Sequence, residues 1–201
     1  MVKAVVFDLG KVLVDFDYGI AARRIAARSR MSAEELMLFL VRSPLFVDFE
    51  KGHINRHRLF DEICAVTGYQ GDLREFGKAF SDIFVEIEPM VRLHAALRDR
   101  KIPSYIFSNT NDLAVEHIQR NFPFYGTFDG YVLSYEHGLM KPEAGLYEVV
   151  EGQSGRRGAE LLYLDDRPEN VEAGAARGWR VVLHETPEKS LAAVQTFGLL
   201  D

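Results

Sequence analysis

The sequence predicts an α/β fold: a parallel sheet covered by helices, with a small helical domain inserted after the first strand. Three observations predict it. From about residue 89 onward, short and continuously apolar segments alternate with helical ones. From about residue 17 to residue 88 the pattern is helical, with no convincing strand. Polar residues (Asp8, Ser108-Asn109 and Asp165-Asp166) stand directly after three separate apolar segments.

Residues 2–7 read as the first strand, ending in Asp8, and residues 11–14 as its possible continuation. In the inserted segment, Ser32 with Glu35 forms a capping box ahead of Leu36, Phe39 and Leu40. Asn55 suits the cap of a helix carrying Leu59, Phe60, Ile63 and Thr67, which Gly68 ends. Asp72 suits the cap of another, with Leu73, Phe76, Phe80, Ile83 and Phe84. The expected division is a core of residues 1–16 and 89–201 and a helical cap of 17–88. A lid over the strand ends excludes water and selects substrates; the alternative is a helical pair packed beside the sheet.

Pro89 opens a helix running to about Arg100, with Val91, Leu93 and Leu97 on its apolar face. Strands follow at 104–107, 130–133, 161–164 and 181–183, and helices at 112–120, 142–152 and 168–177. Gly178 closes the last of these and Pro187 opens a final helix. Continuously apolar strands are buried on both faces, as in a parallel sheet between helical layers. Such sheets bind ligands beyond the carboxyl ends of their strands, which is where Asp8, Ser108-Asn109 and Asp165-Asp166 stand.

The 201 residues suffice for one well-packed core or a core with a small insert. A net charge of −6 and scattered arginines argue against a nucleic-acid partner. The densest run (Arg23, Arg24, Arg28, Arg30) reads as a solvated helix face. Cys64 is the only cysteine, which excludes an internal disulfide and a cysteine-based metal site; its apolar neighbours suit a buried small side chain. With no signal peptide and no apolar run of membrane-spanning length, a soluble cytoplasmic protein is expected. Oligomeric state is not legible.

A carboxylate at a strand tip, a distant Lys141 and a later acidic pair suggest phosphate chemistry. Asp8, the Ser108-Asn109-Thr110 turn, Lys141-Pro142 and Asp165-Asp166 resemble the four signature motifs of the haloacid dehalogenase superfamily, in order and spacing. The stretches FDLGKVLVDFD, FSNTND, GLMKPEAGLYE and LDDRPENVEAG most resemble its small bacterial sugar-phosphate phosphatases with a helical cap. The resemblance implies a Rossmann-like core and a Mg²⁺-dependent phosphatase acting on a small phosphorylated substrate. It makes Asp8 the nucleophile, forming an aspartyl-phosphate that water hydrolyses. Asp8, Asp166 and the Gly10 carbonyl are then the metal ligands, oxygen donors of the kind magnesium prefers. Ser108 and Asn109 hold phosphate oxygens, and Lys141 stands between nucleophile and phosphate. Asp165 is expected to orient the metal ligands rather than join them. Asn170 either binds a metal water or is simply a polar residue in a helical first turn.

One position departs from the pattern. Phosphatases of this superfamily usually carry an acid/base aspartate two residues after the nucleophile, and here that residue is Gly10. Three readings follow: a phosphatase using another proton source, a weak or inactive binder of a phosphorylated ligand, and a metal-independent haloacid dehalogenase. The acidic pair Asp165-Asp166 argues against the last, because such a cluster beside Asp8 is costly without a cation. Asp15 is expected to cap a turn. Lys11 either strengthens anion binding or faces solvent. Substrate choice is assigned to Phe46, Phe49, Glu50, His53, Asn55, Arg56 and His57, with the histidines read as exposed rather than as ligands. Phe39, Phe46 and Phe49 read as exposed aromatics of a pocket or a dimer surface.

Overall fold

The computed structural model describes residues 1–200; Asp201, the last residue of the expected core, lies outside them. The chain begins with β1 (Ala4–Phe7) and β2 (Val14–Phe16). Five helices follow: α1 (Tyr18–Ala26), α2 (Ala33–Arg42), α3 (Leu45–Glu50), α4 (Arg56–Thr67) and α5 (Leu73–Ser81). The chain then passes through β3 (Phe84–Glu86), α6 (Glu88–Asp99), β4 (Ser104–Ser108), α7 (Asp112–Asn121), β5 (Gly130–Leu133) and α8 (Ser134–His137). It ends through α9 (Ala144–Ser154), β6 (Leu161–Asp165), α10 (Pro168–Ala176), β7 (Arg180–Leu183) and α11 (Pro187–Thr196).

The sheet has five strands in the order β5-β4-β1-β6-β7, every pair parallel. Its inner strands are largely apolar because alternate residues enter different layers. Val5, Phe7, Ile106, Leu162 and Leu164 join the cluster that includes Met90, Leu93 and Val194 of α6 and α11. Ala4, Val6, Phe107, Leu161 and Tyr163 join the one that includes Leu146 and Tyr147 of α9 and Trp179. The central strand β1 is therefore fully buried, and its carboxyl end delivers Asp8 to the middle of one sheet edge.

The insert has its own apolar centre, including Ile25, Leu36, Phe49, Leu59, Ile63, Phe76 and Phe80, joined by Leu113 of α7. The expected caps are present: Ser32 and Glu35 close a capping box, Asn55 accepts from the Arg58 amide, and Gly68 ends α4 in the left-handed region at φ 67°. Asp72 and Glu75 close a second capping box.

Two boundaries and one exposure differ from the sequence reading. Phe84 belongs to no helix: α5 stops at Ser81, and Phe84–Glu86 pair antiparallel with Val14–Phe16. The partner strand, remote in sequence, draws these residues out of a helical pattern. Pro142 lies in a turn, and α9 starts at Ala144 because Glu143 is extended. Phe49 is buried and Phe39 half-buried, so neither is an exposed aromatic. Cys64 is half-buried and burial pushes its thiol up, in keeping with an inert side chain.

Candidate active site

Asp8, Ser108 and Asp165 arrive at the carboxyl ends of β1, β4 and β6, and Lys141 reaches them from the turn before α9. The Lys141 ammonium, almost wholly buried, lies 3.0 Å from Asp8 Oδ1 and 2.6 Å from Asp165 Oδ2, and donates to the Phe107 carbonyl at 2.9 Å. Asp8 Oδ1 also accepts from the Leu9 amide at 2.7 Å, while Oδ2 accepts no hydrogen bond from the described residues. Burial pushes the Asp8 carboxyl upward, Lys141 pulls it down, and the charges of Asp165 and Asp166 raise it further. The two neighbouring carboxylates hold the Lys141 ammonium above its usual value in spite of burial.

Asp165 is surrounded by donors. Besides Lys141, it accepts from the Tyr163 hydroxyl, the Arg167 amide at 2.8 Å and Asn170 Nδ2 at 3.0 Å. These partners hold its carboxyl below the usual range although it is buried. Burial and the Asp165 charge raise Asp166. Oxygen atoms of Asp8, Asp165 and Asp166 lie within 4.8 Å of one another, the only such acidic cluster among the described residues. With Asp165 engaged by protein donors, Asp8 and Asp166 are the two carboxylates of this cluster that line the adjacent cavity, along with Gly10. This all-oxygen set at a concentrated negative charge fits a hard divalent cation.

That cavity, about 280 Å³, is lined from the core by Ser108, Asn109, Lys141 and Arg167 and from the insert by Tyr18, Phe46 and Glu50. Phe16 and Phe84, facing each other across the β2-β3 ribbon, complete an aromatic wall. The structure thus brings together Asp8, Gly10, Ser108, Asn109, Lys141, Asp166 and Asn170. Asn170 Nδ2 is turned to Asp165, so this amide orients that carboxylate.

The segment 46–57 divides. Phe46 and Glu50 reach the cavity, while Phe49 packs against Phe80 in the insert. Arg56 is taken up by Asp112 and Glu116 of α7, and exposed His53 pairs with Asp48. His57 is exposed in the first turn of α4. Asp15 accepts from the Phe16 amide, capping the turn, and also holds Lys11 Nζ. Lys11 lines the cavity but its charge is matched there. Sequence reasoning missed Tyr18 and Phe84 as cavity residues; only the flanking aromatic-rich runs hinted at them.

Similarities to known proteins follow the same lines. A model of haloacid dehalogenase-like hydrolases matches residues 2–178. The chain is 27% identical over 187 residues to the sesquiterpene phosphatase astK of Aspergillus oryzae, covering 92% of this chain and 90% of that protein. It is 25% identical over 186 residues to the D-ribitol-5-phosphate phosphatase of Bacteroides thetaiotaomicron, covering 89% and 90%. The crystal structure of the haloacid dehalogenase family enzyme bt-2542 from B. thetaiotaomicron, in complex with magnesium and inorganic phosphate, superposes with a TM-score of 0.79 at 25% identity. That match covers 90% of this chain and 93% of the other. No helix among the described residues is long and apolar enough to cross a membrane. With the sheet order, the four motifs at its edge and a matched span of 177 of 201 residues, this chain belongs to the haloacid dehalogenase-like hydrolases.

Proposed function

We propose that this protein is a Mg²⁺-dependent phosphatase that hydrolyses a small phosphomonoester, a sugar or polyol phosphate, through an aspartyl-phosphate on Asp8. The observation that carries the reading is the buried Lys141 ammonium held 3.0 Å from Asp8 beside the acidic cluster. Lys141 favours the ionised, nucleophilic form of Asp8, and Oδ2, which accepts no hydrogen bond from the described residues, is available to attack phosphorus. Ser108 Oγ and the Asn109 amide hold phosphoryl oxygens, aided by Lys141, as charge develops there. Asp8, Asp166 and the Gly10 carbonyl are the residues that would hold Mg²⁺. When bound, that cation neutralises charge on the phosphoryl oxygens.

The helical insert acts as a cap, contributing Tyr18, Phe46 and Glu50 to the lining of the cavity. A cavity of about 280 Å³ suits a small ester rather than a macromolecule. The polyol-phosphate preference draws on the Bacteroides relative.

A second reading, a protein that binds a phosphorylated ligand without turnover, draws on Gly10, where the usual acid is missing. One experiment separates them: Mg²⁺-dependent phosphate release from an aryl phosphate and a polyol phosphate, with Asp8→Asn as control. Release from both, abolished in Asp8→Asn, supports the phosphatase. Phosphate binding without release from either ester supports the binder.

A further inference from the structure

We propose that Glu50, contributed by the helical insert, is the acid that protonates the leaving alkoxide and the base that later activates water, the role left open by Gly10. The assignment rests on the phosphatase reading above.

The first argument is directional. In phosphoryl transfer the attacking and leaving oxygens lie roughly in line on opposite sides of phosphorus. Asp8 attacks from the sheet edge, so the leaving oxygen faces the insert. Glu50 is the only carboxylate that the insert gives the cavity among the described residues. Its side chain makes no hydrogen bond or ion pair with the described protein groups, so its proton is not committed elsewhere.

The second argument is elimination. A Cβ on Gly10 would sit 2.9 Å from Cε1 of Phe16, so that ring occupies the space where an acid side chain would start. Asp15 is exposed and held by Lys11, and Asp17 caps α1 and pairs with Arg23. Neither lines the cavity. Asp166 belongs to the acidic cluster beside Asp8.

The third is placement. Three successive residues are pinned to the core. Ser134 Oγ donates to the Glu50 carbonyl at 2.6 Å and accepts from the Thr110 amide at 2.9 Å, linking Glu50 to the phosphate-binding turn. Lys51 pairs with Glu143 at 2.7 Å, two residues from Lys141. Gly52, at φ 68°, lies so close to the Tyr135 carbonyl that an added Cβ would be 2.1 Å away. A catalytic acid contributed by an inserted domain needs such an anchor, because misplacement by an ångström is costly in rate.

Burial, reinforced by the charge of Asp8, raises the Glu50 carboxyl to about 7, against Arg167 and Lys141. An acid poised near neutrality is suited to both directions of proton transfer. In the first step an Asp8 oxygen bonds to phosphorus, the ester P–O bond breaks, and the departing alkoxide takes the Glu50 proton. In the second step a water oxygen bonds to phosphorus while giving a proton to the Glu50 carboxylate. The Asp8–phosphorus bond breaks, phosphate leaves, and both residues return to their starting states.

The test compares wild type and Glu50→Gln on ethyl phosphate and p-nitrophenyl phosphate, neither of which carries a hydroxyl for Glu50 to bind. With ethyl phosphate, kcat should fall by about 10²- to 10⁴-fold with little change in KM. With p-nitrophenyl phosphate the leaving group needs no proton. Glu50→Gln should release about one nitrophenolate per site in a burst, within about fivefold of the wild-type rate, and then turn over slowly. The burst also reports that the variant is folded. Equal losses on both esters with no burst, or a rise in KM alone, would overturn the assignment. Absence of phosphate release by the wild type would overturn the phosphatase reading, and this assignment with it.

Discussion

The Asn109 side chain grips the backbone of Lys141 from both sides: Oδ1 accepts from the Lys141 amide at 2.7 Å and Nδ2 donates to its carbonyl at 3.0 Å. The strand end that carries Ser108 thereby sets the position of a lysine 32 residues away. This role of the Asn109 side chain is additional to the contact with phosphate proposed for its amide.

Asn109→Ala should therefore cost activity by displacing Lys141. We expect kcat/KM for phosphate release to fall by about 10- to 100-fold. Stability should drop by only about 1–3 kcal/mol in urea unfolding, the cost of two lost hydrogen bonds. Unchanged kinetics would mean that the turn holds Lys141 without the amide.

Asp165 and Asp166 should separate cleanly, because one is bound by protein donors and the other faces the cavity. Asp165→Asn breaks a buried ion pair with Lys141 and should lower unfolding stability by about 3–5 kcal/mol. Asp166→Asn should change stability by less than about 1 kcal/mol but abolish Mg²⁺ binding measured by calorimetry. The reverse pattern would exchange their roles.

His94 should make stability depend on pH. Its ring stacks on Phe128 at 3.8 Å and Nε2 donates to Thr127 Oγ1, whose own proton goes to the Phe124 carbonyl. Nδ1 is buried without a hydrogen-bond partner among the described residues, and burial lowers the imidazole pKa to about 4. The unfolded chain takes up this proton near pH 6.5 and the folded one only near 4, so stability is lost as pH falls through that window. The loss approaches about 3 kcal/mol below pH 4. Comparing urea midpoints of wild type and His94→Phe from pH 7 to 4.5 isolates this contribution, which the variant should lack.

Lys11 is a weaker contributor to anion binding than its place suggests, because Asp15 neutralises it. Lys11→Asn, a residue that tolerates the φ of 61° found there, should change the inhibition constant of inorganic phosphate by less than about threefold. Asp15→Asn should release the lysine and tighten phosphate binding. A large loss in Lys11→Asn would show direct contact.

Local pattern was sufficient for most of the elements and for half of the site. Ser32, Asn55 and Asp72 announce helix starts because a cap bonds within its own turn. Asp8, Ser108 and Asp165 announce the sheet edge because each follows directly from its own strand. Phe84 escapes local pattern for the opposite reason: its strand exists only through Phe16, far away in the chain.

By itself the sequence determined a parallel sheet between helices, a helical insert, and the grouping of Asp8, Lys141 and the Asp165-Asp166 pair at one edge. These depend on hydrophobic period and on residues adjacent to strand ends. Tertiary structure alone decided what faces that edge: Tyr18, Phe46 and Glu50 point into the cavity, while Phe49 is buried and Arg56 is consumed by α7. That choice depends on how the insert docks. The docking is set by contacts such as Ser134 with Glu50, 84 residues apart, and Arg56 with Asp112, 56 apart, which no local period encodes.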